Sequence, residues 1–152
     1  MVTVRELEQT EIDDVDAHLP LSRLDEHAAG RSTYLIAWED DRPVGHAHLA
    51  WQGTHLAVPE IQDLYVVADR RRRGIATVLI HAAEDEARSR GWADMSLSVS
   101  MDGAPETRRL YERLGYVDAG VEPVRVAGTI MLRGRPFDVD DTLLYLRKLL
   151  ER

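Results

Sequence analysis

No cysteine occurs among the 152 residues. This excludes disulfides, thiolate metal sites and a cysteine nucleophile, and with them any thioester formed on the protein itself. Long hydrophobic runs are missing too. No segment approaches the roughly 20 apolar residues of a membrane span, and Met1 to Glu6 lacks the apolar stretch of a secretory leader. A soluble cytoplasmic protein with no membrane partner is therefore expected. Positive charge is in the minority, with 19 Lys plus Arg against 27 Asp plus Glu and a net charge of −8. That balance argues against binding a nucleic-acid backbone, which rewards clustered cations. Neither G-x-x-x-x-G-K-[ST] nor G-x-G-x-x-G is present, so nucleoside-triphosphate and dinucleotide sites lose their main support. Without G-x-S-x-G, a serine hydrolase is disfavoured. There is no internal repeat or low-complexity tract, and the length suits one domain over residues 1–152.

What is present reads as strands and helices in alternation. Val2 to Leu7 suits a short strand, and Thr10 is a plausible N-cap for a helix that Pro20 ends. A second short helix runs through Leu21, Leu24 and Ala28 and stops at Gly30. Thr33 to Trp38 and Val44 to Trp51 read as a hairpin across the turn residues Glu39 to Pro43, and Ile61 to Val67 as a further strand. The helix from Gly74 to Arg90 carries Glu84/Arg88 and Glu86/Arg90 as i,i+4 pairs on its exposed side. Met95, Leu97, Val99 and Met101 alternate with polar residues as in a half-covered strand, which makes a β-α-β unit. Pro105 opens another helix, with Leu110, Tyr111 and Leu114 on its buried side, and Tyr116 starts a further strand. Glu122 to Asp138 shows no clear period and reads as a long loop or irregular hairpin. The leucines from Leu143 to Leu150 lean towards helix by spacing. Together these elements indicate an α/β domain, an α+β mixed sheet flanked by helices.

The densest chemical signal is the junction Arg70-Arg71-Arg72-Arg73-Gly74-Ile75-Ala76-Thr77 between a β-branched strand and a long helix. The first backbone N–H groups of a helix have no intrahelical partners and carry the positive end of its macrodipole, so an anion is favoured there. Gly74 and Ala76 are small enough to let that anion reach the backbone. The bland alternative is a solvated basic turn.

The run Arg71-Arg72-Arg73-Gly74-Ile75-Ala76 matches [QR]-x-x-G-x-[GA], and Leu110 to Tyr116 matches L-Y-x-x-x-G-[FY]. In this order the two motifs resemble the signatures of the GNAT superfamily of acetyl-CoA-dependent N-acetyltransferases. The resemblance implies a GNAT-like fold with a central mixed β-sheet, and it makes the tail a strand where spacing leans to helix. It also implies that backbone from Arg72 to Thr77, including Arg73, Gly74, Ile75 and Ala76, holds the diphosphate of acetyl-CoA with the Arg71 side chain nearby. Val66 and Val67 would flank a bulge that separates the fourth and fifth strands for the pantetheine arm, and a backbone N–H at or near Val66 would polarise the thioester carbonyl. Two departures, Ala104 and Thr107 at positions often Asn and a small residue, remove one expected cofactor contact.

For catalysis the resemblance points to Glu60 as base and to Tyr111 as the donor to the leaving thiolate. An alkyl amine of pKa near ~10 must lose a proton before it attacks. Glu60 is expected to share a face with Gln62, Leu64 and Val66, and Asp63 to point the other way. His46 and His48 share one face of their strand but have no third ligand at suitable spacing. No metal is therefore expected, and the pair is left as pocket lining or a water-mediated alternative to Glu60. The implied reaction is direct acetyl transfer in a ternary complex to a primary amine of a small molecule or protein. A non-catalytic acyl-CoA-binding or regulatory module is the alternative, and a homodimer is implied by family habit alone.

Overall fold

The computed structural model describes residues 1–132 and 134–151, apart from the side chains of Glu26 and Leu132. Its elements are β1 (Val2–Glu6), α1 (Ile12–Asp16), α2 (Leu24–Ala28), β2 (Ser32–Glu39), β3 (Arg42–Ala50), β4 (Glu60–Val66), α3 (Ile75–Ser89), β5 (Asp94–Ser100), α4 (Pro105–Arg113), β6 (Val117–Asp118), β7 (Val124–Leu132) and β8 (Arg135–Leu149). The sheet order is β1-β2-β3-β4-β5-β8-β6, with β7 added to β8. Every pairing is antiparallel except β4 with β5. This single parallel pair is the one that needs a crossover, and α3 supplies it.

The sheet is covered on both sides near its middle. On one face Ile75, Leu79, Ile80, Ala83 and Ala87 of α3 pack against residues such as Ala47, Leu49, Ile61 and Leu97. On the other, Val15, Leu19 and Leu21 pack against Tyr34, Ile36 and Trp38. Each fully buried side chain of this size contributes about 1.5–3 kcal/mol. Gly45 lets β3 pass beneath α3, since a Cβ there would lie 2.8 Å from the Tyr65 carbonyl oxygen and 3.1 Å from Leu79 Cδ1.

One open choice is settled, for the strand that the resemblance implied, and three expectations change. The tail is strand β8, paired with β5 from Leu143 to Leu149. Its middle residues Leu144, Tyr145 and Leu146 are all buried because both sheet faces are covered there, and this removes the alternation that marks a strand. The stretch 122–138 is a regular ribbon: β7 pairs with β8 from Val124 to Leu132, tied by Arg125 to Asp140 at 3.1 Å and Thr129 to Asp138 at 2.8 Å. Arg133 within it lies outside the described residues. Thr10 sits inside a 3₁₀ turn, Gln9–Glu11, whose start is fixed by the Glu8 N–H donating to Glu11 Oε1 at 2.9 Å. Finally, Glu84 is buried, and Arg88 pairs with Asp85 at 2.8 Å instead, whereas Glu86 and Arg90 do pair, at 3.1 Å.

Candidate active site

The site begins with a fault in the sheet. Leu49 pairs with Ile61, but the next residue of β3, His48, pairs with Asp63, so Gln62 is an extra residue in β4. This bulge lies at Gln62, four residues before the expected position at Val66 and Val67. β4 and β5 are paired just before it, at Glu60 with Ser96 and Ile61 with Leu97, and no pair between them follows it. Bulges break pairing locally and bend the strand, and here the two strands part into an open wedge.

The bulge also reassigns faces. Ile61 and Leu64 both pack towards α3, whereas Glu60, Asp63 and Tyr65 pair across β3 with Ala50, His48 and His46 on the α1–α2 side. Glu60 therefore shares its face with Asp63, against the strict alternation that would place it with Leu64 and Val66. Strand periodicity cannot register one inserted residue.

On the α3 side a cavity of about 560 Å³ is lined by Leu64, Val66, Arg71, Arg72, Gly74, Ile75, Ala76 and Thr77, with Thr107, Leu110 and Tyr111 of α4 opposite. Its floor is the start of α3. The first intrahelical bond runs from the Val78 N–H to the Gly74 carbonyl at 3.1 Å, no side chain caps the helix, and its first turn holds no acid. The amides of Ile75, Ala76 and Thr77 thus lack helical partners. Arg72 (φ 65°) and Gly74 (φ 79°) are both left-handed. Such a conformation costs a non-glycine residue about 1–3 kcal/mol and persists where the surroundings require it. A Cβ on Gly74 would meet nothing within 4 Å, so the space above the turn is open to an incoming anion. Uncapped donors, an open cradle and a rim of arginines fit a diphosphate.

The arginines divide their work. Arg71 Nε donates to the Val66 carbonyl at 2.9 Å, and its guanidinium lies 5.7 Å from the Tyr65 ring centre. Arg70 is half-buried and braced by Glu39 at 3.1 Å and Asp69 at 3.2 Å, so it is no loose surface charge. Arg73 is exposed and outside the cavity wall; Val67 is half-buried and also outside it, its N–H committed to the Val44 carbonyl at 2.9 Å. Because antiparallel strands alternate the direction of their amides, that bond turns the Leu64 and Val66 N–H groups away from β3 and into the wedge.

On the opposite face a second cavity, about 710 Å³, is lined by Pro20, Ser22, His46, Asp63, Leu64, Tyr65, Arg135 and Phe137. Asp63 accepts from Ser22 Oγ at 3.3 Å and lies 3.8 Å from Arg23 Nε. His46 stacks on Tyr65 with 5.8 Å between ring centres. Burial lowers the pKa of His46 to about 4, against weaker opposing effects of Asp63 and the Pro20 carbonyl, and that of His48 also to about 4. Both imidazoles are neutral at physiological pH. His48 is held by a 2.7 Å bond between Nε2 and Ser32 Oγ. No group of three metal-binding side chains occurs among the described residues.

Glu60 is 7 % exposed. Its Oε2 accepts from Gln62 Nε2 at 3.1 Å, and its Oε1 has no partner. Burial raises its pKa above the ordinary glutamate value, with the Gln62 bond and the charges of His55 and Arg23 opposing. Tyr111 is buried at the cavity on the α3 side, and burial raises its pKa as well. Sequence reasoning missed Leu64, which lines both cavities, and the contributions of Ser22, Tyr65, Arg135 and Phe137. These carry no local motif, because the wall they form comes from four separate segments.

A mixed sheet that opens between two parallel strands above a basic helix start is the GNAT acyltransferase architecture. Residues 1–116 match the Acetyltransferase (GNAT) family, and the chain belongs to it. Among solved structures, a Bacillus subtilis acetyltransferase in complex with CoA shares 18 % identity at a TM-score of 0.73, covering 99 % of this chain and 100 % of that one. A GNAT family acetyltransferase from Elizabethkingia anophelis with acetyl-CoA bound shares 14 % at 0.71, covering 98 % of each chain. The ribosomal-protein-S18-alanine N-acetyltransferase of Escherichia coli shares 19 % at 0.70, covering 100 % of this chain and 96 % of that one. No curated protein sequence matches the chain.

Proposed function

We propose that this acetyltransferase moves acetyl from acetyl-CoA to a primary amine of a small molecule or protein, by direct attack in a ternary complex. One observation carries the reading: two cavities on opposite faces of the sheet share Leu64 at the point where β4 and β5 part. The cofactor enters from the α3 side and the amine from the α1–α2 side. The diphosphate rests on backbone from Arg72 to Thr77, with Arg71 beside it, and the pantetheine arm pairs with the free edge of β4 near Val66. Val67 supports that edge through its bond to β3, and Arg73 contributes backbone.

Glu60 takes the amine proton, directly or through a water. A base whose pKa is raised by burial takes a proton better than an ordinary carboxylate does. The histidines, with pKa values about 4, are weaker bases and instead shape the acceptor cavity. The amine nitrogen then attacks the acetyl carbon while a β4 amide, Leu64 or Val66, steadies the carbonyl oxygen. The C–S bond breaks, and the Tyr111 hydroxyl protonates the departing thiolate.

Thiol release measured over a panel of amines, beside calorimetric titration with CoA, tests this. Turnover of at least one amine together with CoA binding supports transfer. Tight binding with no turnover on any amine supports the alternative, a non-catalytic acyl-CoA-binding module. The cytoplasm, as a compartment supplied with acetyl-CoA, suits this activity.

A further inference from the structure

Glu84 is 1 % exposed in the middle of α3. Its Oε2 accepts from the Tyr116 hydroxyl at 2.8 Å and from Lys148 Nζ at 3.0 Å, and its Oε1 accepts from the same Nζ at 3.1 Å. One carboxylate thus joins α3, the connection from α4 to β6, and β8. Lys148 Nζ also lies 5.6 Å from the centre of the Tyr116 ring, so the ring is held at its hydroxyl and beside its face. A buried ion pair is a poor device for stability alone, since apolar residues of similar volume often serve as well or better. What hydrogen bonds of fixed direction add is a unique orientation.

That orientation passes to Tyr111. The two rings meet edge-on, with 6.2 Å between centres and 67° between planes, and the Tyr116 N–H donates to the Tyr111 carbonyl at 3.0 Å. Tyr111 is the buried residue of α4, so this contact is one of those that hold the helix walling the cavity on the α3 side. The Tyr111 side chain itself is placed by packing.

We propose that Glu84, Tyr116 and Lys148 form a positioning device for Tyr111, setting the angle at which its hydroxyl meets the leaving sulfur. The proposal rests on Tyr111 being the proton donor. In the step concerned, an N–C bond forms and the C–S bond breaks. Glu60 takes the ammonium proton before attack, the sulfur takes the Tyr111 proton, and the second proton that the nitrogen sheds as it becomes an amide returns through solvent to the phenolate.

The test compares kcat, both KM values and Tm for Tyr111→Phe, Tyr116→Phe and the double variant. Tyr111→Phe should cost about a hundredfold in kcat. Tyr116→Phe should cost about tenfold in kcat while both KM values stay within about twofold. The double variant should be no slower than Tyr111→Phe, because a misplaced donor no longer matters once the donor is gone. A triple variant, Glu84→Leu with Tyr116→Phe and Lys148→Leu, should keep or raise Tm and still show the kcat loss. Full kcat in Tyr116→Phe, or losses that multiply in the double variant, overturns the positioning role. Unchanged kcat in Tyr111→Phe overturns the donor reading beneath it. If the triple variant does not fold, the two phenylalanine variants decide the matter.

Discussion

The two cavities that meet at Leu64 are built from different materials. The cofactor side is mostly backbone: eight consecutive residues, Arg70 to Thr77, supply uncapped amides and a left-handed turn, and one helix faces them. The opposite side is made of side chains from the α1–α2 connection, β3, β4 and the tip of the β7–β8 ribbon. A backbone site admits little variation in its ligand because its donors are fixed by the fold. A side-chain site can change residue by residue without disturbing the sheet. On the proposed assignment, the cofactor belongs to the architecture and the acceptor belongs to this chain.

The largest effect should come from Gly74→Glu. It forces an L-residue to φ near 79° and puts a carboxylate where the helix start favours an anion, so acetyl-CoA binding should fall beyond calorimetric detection, at least about a hundredfold. Unchanged affinity would remove the cofactor cavity from the comparison. Next, Glu60→Gln should lower kcat by about a hundredfold and leave the CoA dissociation constant intact. Glu60 must be ionised to act, so the wild-type rate rises with pH through a value above the usual glutamate range, and the variant should lose that limb. A pH-rate profile of the same shape in both proteins would exclude Glu60 as base.

The same substitution has a signed effect on stability. The folded pKa of Glu60 is raised, so its contribution to stability is full below the unfolded value near ~4.3 and is lost as pH rises through the folded value. Glu60→Gln should accordingly raise Tm at pH 7, with the difference vanishing in thermal melts near pH 4. A smaller effect is expected on the acceptor side. Asp63→Asn should raise the KM of the amine by about tenfold with acetyl-CoA binding unchanged, and a matching change in CoA affinity would show that the two cavities are not separate sites. The smallest is Phe137→Ala. Phe137 is 59 % exposed, so stability should stay within about 0.5 kcal/mol while the ranking of amines in the thiol-release panel changes. An unaltered ranking would take the ribbon tip out of the acceptor wall.

Much of this was open to sequence reasoning, in proportion to how local the cause is. The boundaries of α3 follow from apolar spacing between Gly74 and Gly91, and the anion-binding start of that helix follows from a glycine beside a basic turn. Glu84 was misjudged because its spacing to Arg88 is that of a surface pair. Only the return of β8 beneath α3 brings Lys148 and Tyr116 to it. The β8 leucines mimicked a helix because a strand covered on both sides has no polar face to reveal its period. The bulge at Gln62 left no mark in composition, yet it decides which face Glu60 shares.

The sequence by itself determined the basic turn, the helix that follows it, the place of Tyr111 in its motif and the family, because each depends on residues within about one or two helical turns of one another. The tertiary structure decided the rest. The bulge at Gln62 exists only in the pairing of β4 with β3. Glu60 therefore joins Asp63, and the acceptor cavity takes shape only when the ribbon tip folds over the α1–α2 connection. Those are contacts between segments far apart in the chain, and long-range packing sets them where local propensity has no preference.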